Sequence, residues 1–300
     1  MSNKNRGDRI QLLHKVVLKH FTPVPSSEDR SVLENLVYAC CLEDADYEQA
    51  DEAFHRLQES FFDWNEIRVT TVTELQETVH NLPDPAAAAM RVKKNLQSLF
   101  ESRYSFDLDD MVKMNQGKAV QELEAMAGMT RFILGYVVQN SLGGHSIPVS
   151  KTIMQIMLAT EIVSENEAAK GQVPGLERTV PKTKGITFAS CLHQLAVAHA
   201  SSPNSKSVLA ILKEAGAPDK KPAKETKKKA AAKKSATKKA ATKPETPEPQ
   251  KAKKSTKKAV VSGKTASTTK KTAKKSTKAA SPKSKPAAKP ATKKTKRKPR

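Results

Sequence analysis

The chain has 300 residues and a formal net charge of +22, and that charge is unevenly shared. From Lys221 to Arg300 there are 30 Lys and Arg against three acids, with no Phe, Tyr, Trp, Leu, Ile, Met, Cys or His, so this stretch cannot bury a core; residues 1–220 keep a net charge of −5 and every aromatic residue. No run approaches the ~18 to 20 uninterrupted apolar residues of a membrane span, and the start, Met1 to Asp8, is polar, so neither a transmembrane segment nor a signal peptide is expected, and the expected location is intracellular, in the cytoplasm and nucleoid, or the nucleus of a eukaryote.

The body reads as helices joined by short breaks. Ile10, Leu13, Val16, Val17 and His20 recur at helical spacing from Asp8 to Phe21, and Pro23 and Pro25 then stop the helix. Ser26 or Ser27 is expected to cap a second helix carrying Val32, Leu33, Leu36, Val37, Cys40 and Cys41, and Asp46 to cap a third carrying Ala50, Ala53, Phe54 and Leu57. Further helical patterns run near Thr73 to Val79, Pro85 to Tyr104 with its proline in the first turn, Asp107 to Asn115, and Ala119 to Met126. The β-branched runs Arg68 to Val72 and Ile147 to Val149 are too isolated to build a sheet. Helices near Lys151 to Val163, Gly185 to Ala200 and Ser205 to Ala215 complete an all-α class with about ten helices, in a domain spanning 1–217 followed by a basic segment from 218 to 300.

The segment from Leu123 to Val138 is the most informative. One helix ends near Gly128, where a glycine can take positive φ, and Thr130 caps the next helix after a very short turn. Such a helix-hairpin-helix points unpaired backbone N–H groups and the positive end of a helix dipole outward, where a phosphate can sit. An ordinary helical corner has the same local pattern.

Over roughly residues 8–200 the order of motifs resembles the endonuclease III family of DNA glycosylases, the helix-hairpin-helix superfamily. L-E-A-M-A-G-M-T-R-F-I-L-G-Y-V-V is similar to that family's L-P-G-V-G-R-K-T-A-N-V-V. Ser31 to Leu57, with Glu34 near its start, looks like the family's second and third helices, and H-S-I-P-V-S-K-T-I-M-Q-I from His145 is similar to the segment where the family writes V-D-T-H. The resemblance implies an all-α body that binds the backbone of double-stranded DNA, with Gly128, Met129, Thr130, Arg131 and Lys151 as its contacts.

The same alignment implies a degenerate active site. The family's nucleophilic lysine falls on Phe132, which cannot form an imine. Its catalytic carboxylate falls on Ser150, and the residue inserted where a base is flipped falls near Asp44. No catalytic residue is therefore assigned. The four cysteines of the family's iron–sulfur site are absent, since Cys191 is the only cysteine beyond Cys41, and no cofactor or metal is expected. Cys40, Cys41 and Cys191 encode neither a disulfide framework nor a zinc site. His145 and Lys151 lie beside the Ser150 position and are read as a turn residue and a solvated or phosphate-contacting cation. His193 and His199 do not share a helix face, and the acids Glu43, Asp44 and Asp46, and Asp107, Asp109 and Asp110, are read as helix-start residues.

The basic segment resembles the C-terminal tails of linker histones and lysine-rich nucleoid proteins. Lys227, Lys228, Lys229, Lys233, Lys234, Lys238, Lys239, Lys253, Lys254, Lys257, Lys258, Lys270, Lys271, Lys274, Lys275, Lys293, Lys294 and Arg297 recur among Ala, Thr, Ser and eight prolines. Like-charge repulsion and the absence of large apolar side chains predict disorder in isolation, and single ammonium groups neutralise phosphates without reading bases. The sequence supports three functions: a non-enzymatic DNA-binding protein, an active base-excision enzyme with its acid at an unmatched position, and a helical interaction module that binds RNA or ribosomes. It leaves oligomeric state open.

Overall fold

Two hydrophobic clusters organise the body, and the chain crosses between them twice. A computed structural model of the chain describes residues 5–27 and 29–218, all within the first of two units, Met1–Lys229 and Ala230–Arg300. Its helices are α1 (Arg6–His20), α2 (Val32–Leu42), α3 (Tyr47–Ser60), α4 (Trp64–Val69), α5 (Val72–Thr78), α6 (Pro85–Arg103), a 3₁₀ turn (Asp109–Lys113), α7 (Gln116–Glu124), α8 (Arg131–Asn140), α9 (Lys151–Ala159), α10 (Glu165–Ala169), α11 (Leu176–Thr179), α12 (Lys182–Ser201) and α13 (Lys206–Glu214). There is no strand among the described residues, and no helix there is long and apolar enough to cross a membrane. The class is all-α.

The first cluster joins the apolar faces of α2 to α8, with Leu36, Leu57, Leu96, Leu123 and Ile133 fully buried. The second joins α1 to α9–α13 around Leu13, Ile153, Phe188 and Leu192. Because α1 belongs with helices that follow it by more than a hundred residues, its connection to α2 runs across α12: Val24 donates its amide to Ser190 Oγ at 2.9 Å, and Gln194 Nε2 donates to Thr22 O at 2.7 Å. His193 on α12 then bridges the clusters. Its Nε2 donates to the carbonyl of Ala45, between α2 and α3, at 2.8 Å, and its ring sits 5.3 Å from Phe132 and 5.4 Å from Tyr47.

Several local expectations change. Ser31, not Ser26 or Ser27, caps α2, in a reciprocal capping box with Glu34; three residues separate donor and acceptor there, the spacing the box requires. The run containing Arg68 and Val69 is helical, because Asp63 caps α4 and Ile67 buries on α6, and tertiary packing overrides β propensity. Asp107 to Asn115 shortens to one 3₁₀ turn, and α10 and α11 lie in a stretch where no helix is expected from the pattern.

Gly128 also differs. It lies outside the positive-φ region; a β-carbon there would stand 2.7 Å from Asn95 N and 2.8 Å from Arg91 O, so glycine is required by the close approach of the hairpin to α6. Gly128→Val is therefore expected to lower the stability of the whole body by roughly 2 to 3 kcal/mol, measured by urea unfolding; unchanged stability would mean the hairpin can lift from α6 without cost.

His193 generates a pH prediction. Burial drives its imidazole pKa down to about 4, although the Ala45 hydrogen bond, Asp44 and Asp46 oppose the shift. The unfolded chain binds that proton near pH 6.5, so protons favour unfolding: the contribution is complete above pH 6.5 and is lost as pH falls toward 4, about 3 kcal/mol in all. His193→Gln should remove this part of the acid sensitivity in denaturation midpoints compared between pH 7 and 4.5. An identical pH slope in the variant would exclude His193 as its source.

Candidate functional site

The hairpin lies between α7 and α8. After α7 ends at Glu124, Met126 and Met129 close successive turns, and Thr130 caps α8 by accepting the amide of Ile133 at 3.1 Å. The amides of Arg131 and Phe132, in the first turn, have no helical acceptor. Met129 and Thr130 are half-buried, Arg131 is exposed and Gly128 is buried. Met129, Thr130 and Arg131 line an open groove of about 700 Å³, whose other wall is Ser146 to Val149 and Gly171 to Glu177. The Arg131 side chain lies against the backbone at Gly171 and has no ion pair among the described residues.

A second glycine positions the far wall. A β-carbon on Gly135 would stand 2.9 Å from Pro148 Cα, so the segment before α9 crosses α8 at a residue with no side chain. His145 fixes the same segment to α11, with Nε2 2.7 Å from Glu177 O and 2.8 Å from Val180 O. Ser150, 3% exposed, caps α9 by accepting the amide of Ile153, and Lys151 is exposed beside it.

Phe132 and Ser150, the positions that the sequence resemblance pairs with the family's catalytic groups, are both buried in this body. Phe132 is 2% exposed and packs on Tyr136 and His193. The space left among Phe132, Tyr47, Tyr136, Gln139, Pro148 and His193 is about 20 Å³, room for a single water and far too small for a nucleobase.

Glu43 is the residue whose position the sequence did not disclose. It stands at the end of α2, 7% exposed; Thr130 Oγ1 donates to its Oε2 at 3.0 Å, and Arg91 Nε lies 3.4 Å from the same oxygen. Burial pushes its carboxyl above the ordinary carboxylate range, against the pull of Arg91, Thr130 and Lys151. Asp44 is also not free to meet a base stack, because Arg91 Nη1 holds it at 3.0 Å. Only Asp46 of this acidic trio caps a helix start, and Glu43 is the C-cap of α2. In the other trio, Asp109 accepts the amide of Val32, and Asp110 pairs with Arg103 at 2.6 Å. The acidic composition hinted at these residues, but nothing local marks Glu43 as the partner of a threonine 87 positions away. The basic-segment residues Lys227 to Arg297 lie outside the described residues.

No protein-family model matches the sequence, and no curated protein does. Among solved structures, the chain is similar to endonuclease III in a non-covalent DNA complex, at 15% identity over 70% of this chain and 96% of that one, with a TM-score of 0.50. It is also similar to endonuclease III trapped in a covalent DNA intermediate, at 14% identity, 71% and 97% coverage and a TM-score of 0.47, and to a thermostable thymine-DNA glycosylase, at 13% identity, 65% and 87% coverage and a TM-score of 0.45. The first of these likenesses shows the fold: the described body is built as the helix-hairpin-helix fold of the endonuclease III type.

Proposed function

We propose that this protein is a non-enzymatic DNA-binding protein, in which a body spanning 1–217 docks on the duplex backbone through its hairpin and a segment from 218 to 300 adds sequence-independent contacts. The observation that carries this reading is a juxtaposition at the start of α8: Met129, Thr130 and Arg131 line a groove of about 700 Å³, while Phe132, one residue further on, is sealed in the core beside a space of about 20 Å³. A phosphate can reach the first and a flipped base cannot enter the second. Met129, Thr130, Arg131 and Lys151 supply the backbone contacts, Gly128 sets their position, and the lysines from Lys227 onward supply counterion release. The fold's likeness to endonuclease III, which the solved structure holds on DNA, supports duplex DNA over RNA as the partner, and places for such a protein are the nucleoid or the nucleus.

A second reading, base excision, is favoured by one observation. Glu43 is a buried carboxyl beside the hairpin whose protonated form is stabilised by burial, the property a general acid needs.

Two experiments separate these readings. Full-length protein should bind duplexes of any sequence with a log–log salt slope near −9 if about ten lysines engage phosphates, Arg131→Ala and Lys151→Ala should each reduce the slope by about 1, and deletion of 218–300 should flatten it strongly. An unchanged slope after deletion would remove the segment's role. Direct chromatographic measurement of free base from duplexes carrying uracil, oxidised pyrimidines or alkylated purines should show no release. Release that is lost in Glu43→Gln would establish the enzymatic reading instead.

A further inference from the structure

The carboxylates of the body are concentrated on α3 to α5. Residues 47–78 hold eight acids against two arginines, whereas 1–220 as a whole nets only −5, so the remainder is close to neutral. Asp51 and Glu52 pair with Arg30 and Arg56. Among the described residues, Glu48, Glu59, Asp63, Glu66, Glu74 and Glu77 have no cationic partner.

In the middle of this acidic stretch is an apolar groove. Leu57, Phe61, Phe62, Trp64 and Ile67 line a cavity of about 230 Å³ at the junction of α3 and α4, and Phe62 is 96% exposed. Its backbone is fixed: the Phe62 amide donates to Glu66 at 2.6 Å, and the Glu66 amide donates to the Asp63 cap at 2.7 Å. An aromatic ring is thus held in water by a rigid turn whose side chains are acidic.

The groove also faces away from the hairpin. On α6, Arg91 and Asn95 meet Gly128, whereas α4 is reached by Lys93, which donates to Arg68 O at 2.7 Å, and by Gln97, which accepts from Arg68 at 2.9 Å. Residues two apart on a helix point about 200° apart, so α4 and the hairpin pack on opposite sides of α6. The one basic side chain on α4, Arg68, is turned inward over the Phe100 ring at 4.3 Å.

We propose that this groove docks a lysine- or arginine-rich polypeptide segment of a partner protein that carries a large apolar side chain. The apolar side chain fills the slot against Phe62 and Trp64, and flanking cations meet the unpaired carboxylates around it. Nucleic acid has the wrong charge for this rim. A lysine segment without a large apolar residue leaves the slot empty. Because the site lies across α6 from the hairpin, partner and DNA can be held together.

Trp64 is the only tryptophan in the chain, so the emission of the full-length protein reports on this groove. The probes are three 16-residue peptides: lysine-rich with central Leu and Phe, the same with those two replaced by Ala, and the first with Glu in place of Lys. The first should give a saturable blue shift, at least tenfold tighter than either control; Phe62→Ala or Glu59→Lys should weaken it at least tenfold, with Phe62→Ala leaving duplex DNA affinity unchanged. Equal binding of the first two peptides, or indifference to Phe62→Ala, would overturn the proposal. So would self-association in sedimentation that Phe62→Ala abolishes, which would assign the face to a second copy of this chain.

Discussion

Where Gly128 meets α6 there is no room for a β-carbon, and the geometry of the candidate site depends on that approach. The atoms that crowd Gly128 belong to Arg91 and Asn95. The Arg91 side chain then continues to the end of α2, where it donates to Cys40 O at 3.1 Å and pairs with Glu43 and Asp44. Glu43 in turn receives the Thr130 hydroxyl that caps α8. One helix therefore fixes the hairpin through its backbone and fixes the cap of α8 through a charged side chain. A groove wall built this way is held by packing and by charge together, in surroundings dry enough to strengthen each hydrogen bond.

Phe132 and Ser150 both serve the packing of the body. An aromatic ring at 132 and a hydroxyl at 150 need no charge stabilisation, so both bury: Phe132 is core beside His193, and Ser150 caps the start of α9. Neutral His193 completes the seal, because an imidazole that donates to Ala45 O and lies against two aromatic rings is compatible with an apolar interior only without its second proton. Near the hairpin stand the exposed Arg131 and the buried Glu43.

Charge is partitioned along the chain in a way that suits two kinds of partner. The α4 turn packs across α6 from the hairpin, and the excess of lysine lies beyond residue 220. The unpaired acids around the exposed Phe62 give the α4 turn a negative field, which favours cationic ligands there.

Much of this was legible in the sequence because it depends on residues a few positions apart. Thr130, Asp46 and Pro85 mark helix starts through bonds or sterics within four residues, and the period of Leu, Val and Ile marks buried faces. The fold class and the concentration of positive charge were settled at that level. Tertiary structure decided what depends on long separations. The run at Arg68 and Val69 is helical because α6 covers it, Gly128 is required by its close approach to Arg91 and Asn95 and not by a positive φ, and α1 packs with α12, which follows it by more than 150 residues. Glu43 gained its environment from Thr130, 87 residues on, and from Arg91, and no local pattern encodes a buried carboxylate whose partners arrive from two other helices. Local hydrogen bonds and periodicity are written in neighbouring residues; close approach, desolvation and the pairing of distant charges exist only once the chain has folded.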